Sequence, residues 1–146
     1  MTKQARLLVL TQILLLAGAA QIARRFSEPG ENLPMTDNSF DNIVSTFTLC
    51  SIANVEQALK EVYRVLKPGG GFHFLEHGLS REPKVQVWQN RLTPLQKIIG
   101  DGCHFNRNIR QLVETQFQNV ELEEFYLENE PKISGYLYKG VGYKAI

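Results

Sequence analysis

Cysteine is scarce in this chain. Cys50 and Cys103 are the two present, with no paired spacing such as C-x-x-C. The sequence on its own therefore implies no metal, and it offers too few bridges for a disulfide framework; a reducing compartment is the default. An excess of either charge is also missing. Sixteen Lys and Arg face 15 Asp and Glu, for a net charge of +1, which removes the electrostatic case for a nucleic-acid partner. There are no internal repeats and no low-complexity tracts. What is present is an ordinary globular composition, 43% hydrophobic and 21% charged over 146 residues. That is enough for one domain with a real core.

The N-terminus stands apart. Leu7 to Ala20, LLVLTQILLLAGAA, is apolar on all sides and follows Lys3 and Arg6. It is shorter than the roughly 20 residues that a membrane span needs. Residues 1–26 are expected to form an apolar N-terminal helix that packs on a core or interface. Two alternatives stay open: a secretory signal, since Ala17-Gly18-Ala19 resembles a small-residue cleavage site, and a membrane anchor. Any membrane contact would run through Leu7–Ala20.

Arg24 to Asp41 is rich in Pro, Gly, Asn, Asp and Ser and reads as loop and turn. Asn42–Thr46 suits a buried strand. A helix follows over Val55–Leu66. Asn54 can cap it, Gln57 sits where a capping-box partner belongs, and Val55, Ala58, Leu59, Val62 and Leu66 recur at helical spacing. Pro68 disfavours helical geometry at Lys67, and Gly71–His77 reads as the next strand. A phosphate-cradling glycine loop follows a strand and opens a helix. Gly69, Gly70 and Gly71 follow a helix and open a strand, so they are expected to turn the chain, with positive φ at Gly69 or Gly70. Pro83–Ile99 reads as helical and kinked or divided at Pro94. Ile109–Phe117 reads as a short amphipathic helix, and two alternating strands are joined across ENEPKI. The fold class is α/β: a mostly parallel sheet ending in an antiparallel hairpin.

ENLPMTDNSFD followed by RVLKPGG resembles the class I S-adenosylmethionine-dependent methyltransferases. Glu31, Leu33, Pro34, Asp37, Ser39, Phe40 and Asp41 match a loop that leads into the family's fourth strand. Arg64–Gly70 match the helix end that leads into its fifth. Downstream, Trp88, Gln89, Pro94, Gly100–Cys103 and Arg107 resemble the branch that includes the methyltransferase-like thiol methyltransferases and their bacterial relatives. The resemblance runs from about Gly30 to Lys144 and covers only the C-terminal part of the family domain. The implied fold is a partial Rossmann-like sheet in residues 27–146. No G-x-G loop and no strand-ending acid for the ribose is found before Asp37, although both are expected in related nucleotide folds. The absence of a first strand would leave the fourth with an unpaired edge, which the Leu7–Ala20 segment could cover.

The resemblance implies S-adenosylmethionine as cofactor and a small-molecule acceptor, with a thiol the finer expectation. It places Gly30 and Glu31 near adenine, and Ser45, Thr46 and Phe47 at the methionine end; strand packing is the alternative for the last three. His77, ending a strand, is a candidate base. Cys103 and His104 would form a thiol–base pair, although cysteine more often acts as a small buried hydrophobe. His73 is expected to be structural, and Trp88 either lines an acceptor pocket or packs. The localisation implied is cytoplasmic, with membrane association through Leu7–Ala20 left open. Two other readings stand beside the enzyme: a non-catalytic remnant or interaction module with half the fold, and a secreted or membrane-attached α/β protein.

Overall fold

The computed structural model describes residues 7–11 and 31–146. Among these residues, five strands form one sheet in the order β1-β2-β3-β5-β4. β1 is Leu7–Thr11, β2 Phe40–Thr46, β3 Leu66–His77, β4 Asn119–Tyr126 and β5 Tyr136–Tyr143. β1 and β3 flank β2 as parallel neighbours, and β5 then runs antiparallel to both β3 and β4. The expected parallel pair, crossover helix and C-terminal hairpin are all present.

The expected N-terminal helix is not what the described part of that segment forms. Leu7–Thr11 is a strand, in register from Leu7 opposite Asn42 to Thr11 opposite Thr46. It covers the β2 edge, one use the apolar segment left open, and does so with backbone hydrogen bonds. A run that is apolar on all sides carries no period to separate a strand from a helix; an open parallel edge decides in favour of the strand. The rest of the expected helix, with the signal and anchor alternatives, lies outside the described residues. Among the described residues no helix is long and apolar enough to cross a membrane.

Helix α1, Val55–Val65, begins as its sequence indicates: Asn54 Oδ1 accepts from the Gln57 amide at 3.1 Å. The reciprocal half of the cap differs from expectation. The Asn54 amide donates to Glu31 Oε1 at 2.5 Å, so a carboxylate from the preceding loop serves in place of the Gln57 side chain. Helix α3, Ile109–Gln116, is capped likewise by Asn108. Helix α2, Pro83–Ile99, is one continuous helix with Pro94 inside it. Trp88 is 52% exposed on α2, with Arg91 over its ring.

The core is built from Ile43, Phe72 and Phe74 of the sheet, Leu59, Val62 and Val65 of α1, and Ile109, Val113 and Phe117 of α3 and its end. Phe72 stacks on Phe117 at 5.7 Å. Residues 31–39 are tied to α1 by an Arg64–Glu61 pair. Arg64 donates to Glu61 Oε1 and Oε2 (2.9 and 2.8 Å), to the carbonyls of Met35 (2.8 Å) and Leu33 (3.0 Å), and to Asp37 (2.6 Å). Glu61 Oε2 in turn accepts from the Leu33 amide at 2.9 Å.

The glycines do turn the chain, inside β3 rather than before it. Phe40 pairs with Leu66 and Asn42 with Gly71, so Asp41 alone stands opposite Lys67–Gly70. Gly69 has φ +75°. A Cβ on Gly70 would lie 2.8 Å from the Lys67 carbonyl oxygen and 2.9 Å from that of Asp41. Asp41 holds the bulge through Lys67 Nζ at 2.9 Å.

Candidate functional site at the carboxyl ends of β2 and β3

β2 and β3 end side by side, with Thr46 opposite Leu75. In an open parallel sheet, that end faces the ligand crevice. β2 leaves through Phe47, a non-glycine residue at φ 49°. That left-handed conformation is uncommon for a bulky side chain and concentrates at functional turns. The Phe47 amide donates to the Leu75 carbonyl at 3.0 Å, and its ring is 38% exposed.

Glu76 organises this end. It is fully buried, and its carboxylate accepts from Ser45 Oγ (2.7 Å), the Thr48 amide (3.1 Å) and the Leu49 amide (3.1 Å). Burial pushes its pKa above the ordinary carboxylate value, and the three donors offset part of that rise. The loop after β2 is thereby fastened over the tip of β3. The loop after α2 joins it: the His104 amide donates to the Cys50 carbonyl at 2.9 Å, and Arg107 donates to the Leu49 carbonyl.

Two loops and the end of β3 thus bring Cys50, His77 and Cys103 together. Cys103 Sγ is 3.0 Å from His77 Nε2, and one donor atom from each of the three residues lies within 4.8 Å of the others. Both cysteines are buried and free. The two thiols titrate against each other. Hydrogen bonding between them, then burial, pushes Cys50 up, while the same bond chiefly pulls Cys103 down. Burial opposes charge on His77, but contact with Cys50 and the charge of Glu76 outweigh it and raise its pKa. The ring lies between Phe47 and Phe105, at 6.1 and 5.9 Å.

The expected site residues fall as follows. His77 and Cys103 meet each other. His104 does not pair with the Cys103 thiol by hydrogen bond; its Nδ1 lies 3.1 Å from the Cys50 carbonyl oxygen, and burial lowers its pKa. Ser45 is buried on Glu76. Thr46 and Phe47 end the strand at the crevice edge, where the Thr46 carbonyl accepts from Thr48 Oγ1 at 3.0 Å. Glu31 has one oxygen on the α1 cap, and Gly30 lies outside the described residues. His73 faces Asn42 at 3.0 Å, as a structural residue would. Glu76 stands at the strand end beside His77 and Arg107 is among the residues that carry the family resemblance, but their roles as organisers, and Cys50 as a neighbour, were not marked by any local spacing. The available signal was an acid followed by a histidine at a strand end.

Comparison with known proteins finds similarity to methyltransferases. A family model described as "Methyltransferase domain" matches residues 11–74. Over 99 residues the chain is 43% identical to thiol S-methyltransferase TMT1B of Rattus norvegicus, covering 64% of this chain and 40% of that protein. It is 35% identical over 128 residues to thiol S-methyltransferase TMT1A of Homo sapiens, covering 82% of this chain and 52% of that protein. The chain therefore spans about half or less of the curated relatives it matches. Among solved structures, phosphoethanolamine N-methyltransferase 2 of Haemonchus contortus, in complex with S-adenosyl-L-methionine, superposes with a TM-score of 0.58 at 15% identity, over 80% of this chain and 36% of that one.

Proposed function

The chain belongs to the class I S-adenosylmethionine-dependent methyltransferases, and from that membership we propose that it forms the acceptor side of an enzyme that methylates a small thiol. The observation that carries the reading is the convergence, at the carboxyl ends of β2 and β3, of Thr46 and Phe47 with the Glu76–His77 strand end. The names of the two relatives given above favour a thiol as acceptor.

The cofactor fit is incomplete. Thr46 and Phe47 offer one wall at the strand ends, and Phe47 holds an unusual backbone conformation there. One Glu31 oxygen is already engaged by the Asn54 amide, and the sequence has no G-x-G loop ahead of Asp37. S-adenosylmethionine, when bound, supplies a methyl group already activated on sulfonium, so the protein's share is to align the attacking atom and keep it ionised. A thiol reacts as thiolate. The groups at this edge suited to accepting its proton are His77 and Cys103, which share a contact; His104 is turned to a carbonyl.

A crevice without a glycine loop leaves much of the cofactor in water, so the remaining contacts do not offset the cost of immobilising it. The 146-residue chain alone is therefore expected to bind S-adenosylmethionine weakly or not at all. A version carrying a glycine loop of the family's kind is expected to bind it and methylate a small thiol. Calorimetry on both, with the demethylated product as second ligand, tests this. Micromolar binding by the short chain would show the missing loop to be dispensable. No binding by either would favour the non-catalytic module, a reading that the engaged Glu31 also supports.

A further inference from the structure

We propose that Cys50, His77 and Cys103 form a three-donor site for Zn²⁺, with a fourth position left for an exogenous ligand. The three residues come from three separate loops or strand ends, yet their donor atoms cluster within 4.8 Å. In a tetrahedral zinc site the Zn–S and Zn–N bonds put neighbouring donors roughly 3.5–3.8 Å apart. Cys103 Sγ and His77 Nε2, at 3.0 Å, stand a little closer than that, and no pair of the three donors is farther apart than 4.8 Å. Small side-chain movements suffice to admit an ion.

The chemistry of the set is selective. Two thiolates and an imidazole are soft and borderline donors that suit zinc and reject magnesium or calcium. The charge closes as well: two thiolates neutralise Zn²⁺, while buried Glu76 and nearby Arg107 have opposite signs. Binding would release the thiol protons to solvent. His77 Nδ1 is buried and has no hydrogen-bond partner among the described residues, so the ring is positioned by its sulfur contacts and by Phe47 and Phe105. With three protein ligands the site resembles catalytic rather than closed structural zinc; a thiol binding at the fourth position would have its pKa lowered by the metal and would lose its proton to solvent, because His77 and Cys103 would then be ligands and not bases. That last step rests on the methyltransferase reading; the metal site itself does not.

The test uses the full 146-residue chain, reduced and then freed of reductant, titrated with Co²⁺ as a spectroscopic stand-in for zinc. The expected result is one equivalent bound, with tetrahedral visible bands and a near-ultraviolet sulfur-to-cobalt band, displaced by one equivalent of Zn²⁺. Cys50→Ser and Cys103→Ser should each cut the sulfur band by about half as one of two Co–S bonds is lost, and His73→Gln should leave it unchanged. Circular dichroism checks the fold of each variant. Should a cysteine variant unfold, protection of both cysteines from iodoacetamide by Zn²⁺, read by mass spectrometry on the unmutated chain, decides instead. A folded chain without the sulfur band, a band that survives both serine substitutions, or a Cys50–Cys103 disulfide that persists in the chain as isolated would each overturn the proposal. A small alkyl thiol that shifts the visible bands would support the open position, whatever the methyl-transfer assays show. Bands that do not respond to the thiol would overturn that part alone.

Discussion

Arg64→Ala should unfasten the loop at residues 31–39 from α1, and the cost can be worked from the contacts. The guanidinium spans Glu61, Asp37 and the carbonyls of Leu33 and Met35. Glu61 is 8% exposed and Leu33 is 2% exposed, so truncation leaves a buried carboxylate and a buried carbonyl short of donors. A hydrogen bond to a charged group contributes about 1.5–3 kcal/mol and a neutral one about 0.5–1.5. Water can replace part of this, because the Arg64 side chain is 31% exposed, and the Asp37 contact is exposed enough to count for little. The net expectation is a loss of about 2–4 kcal/mol, or roughly 5–15 °C in Tm for a domain of this size. Arg64→Lys keeps the charge but not the fork and should lose about half as much. A pH signature accompanies it. Hydrogen bonding to Arg64 is the chief reason the Glu61 carboxyl lies below its ordinary 4.5. Between that depressed value and 4.5 the unfolded chain binds more protons than the folded one. The pair's contribution is therefore complete above about 4.5 and is lost as pH falls through the folded pKa. Urea unfolding at neutral and acid pH measures both effects. An Arg64→Ala loss under about 0.5 kcal/mol, or an unchanged acid limb, would refute the reasoning.

Three further outcomes are expected. Gly69→Ala should cost about 1 kcal/mol from its left-handed backbone, and Gly70→Ala more, because its new methyl meets two backbone oxygens; equal melting temperatures for Gly70→Ala and the unmutated chain would contradict this. Glu76→Gln should remove a pH dependence opposite in sign to that of Glu61: with its folded pKa raised, Glu76 makes the fold lose stability as pH climbs from 4.5 through that pKa, and paired melts across this range read the difference. Gln89, fully buried, donates to the Gly78 and Ile133 carbonyls and accepts from the Ser80 amide; Gln89→Leu should cost about 2–4 kcal/mol and speed hydrogen exchange at Ser80.

The parallel unit of β2, α1 and β3 was legible because its signals are local: an asparagine cap, a 3.6-residue apolar period and a proline–glycine stop. The β4–β5 hairpin was legible from alternation. Leu7–Thr11 was not, since an unbroken apolar run has no period and its conformation is set by the edge it covers. The site was half legible. Phe47 and His77 could be placed at strand ends, but Cys50 and Cys103 are far apart in sequence and meet because Glu76, His104 and Arg107 draw two loops to the end of β3. The cap on α1 shows the same limit: Gln57 has the right spacing, yet Glu31 arrives from outside the helix and takes the contact.

The bulge at Lys67–Gly70 sets the alternation of everything beyond it. Side chains along a strand change face at each residue, so a slip of one would exchange the two faces of β3. Glu76 would then turn away from the loop amides that it holds, and His77 would take its place beneath them. β3 cannot slip against β2 alone, because it is also in register with β5 from Gly71 opposite Tyr143 to His77 opposite Leu137. The number of residues in a turn remote from any reacting atom thus acts as a phase setting for the site: deleting one of them would either crush the turn or invert the face that carries the chemistry.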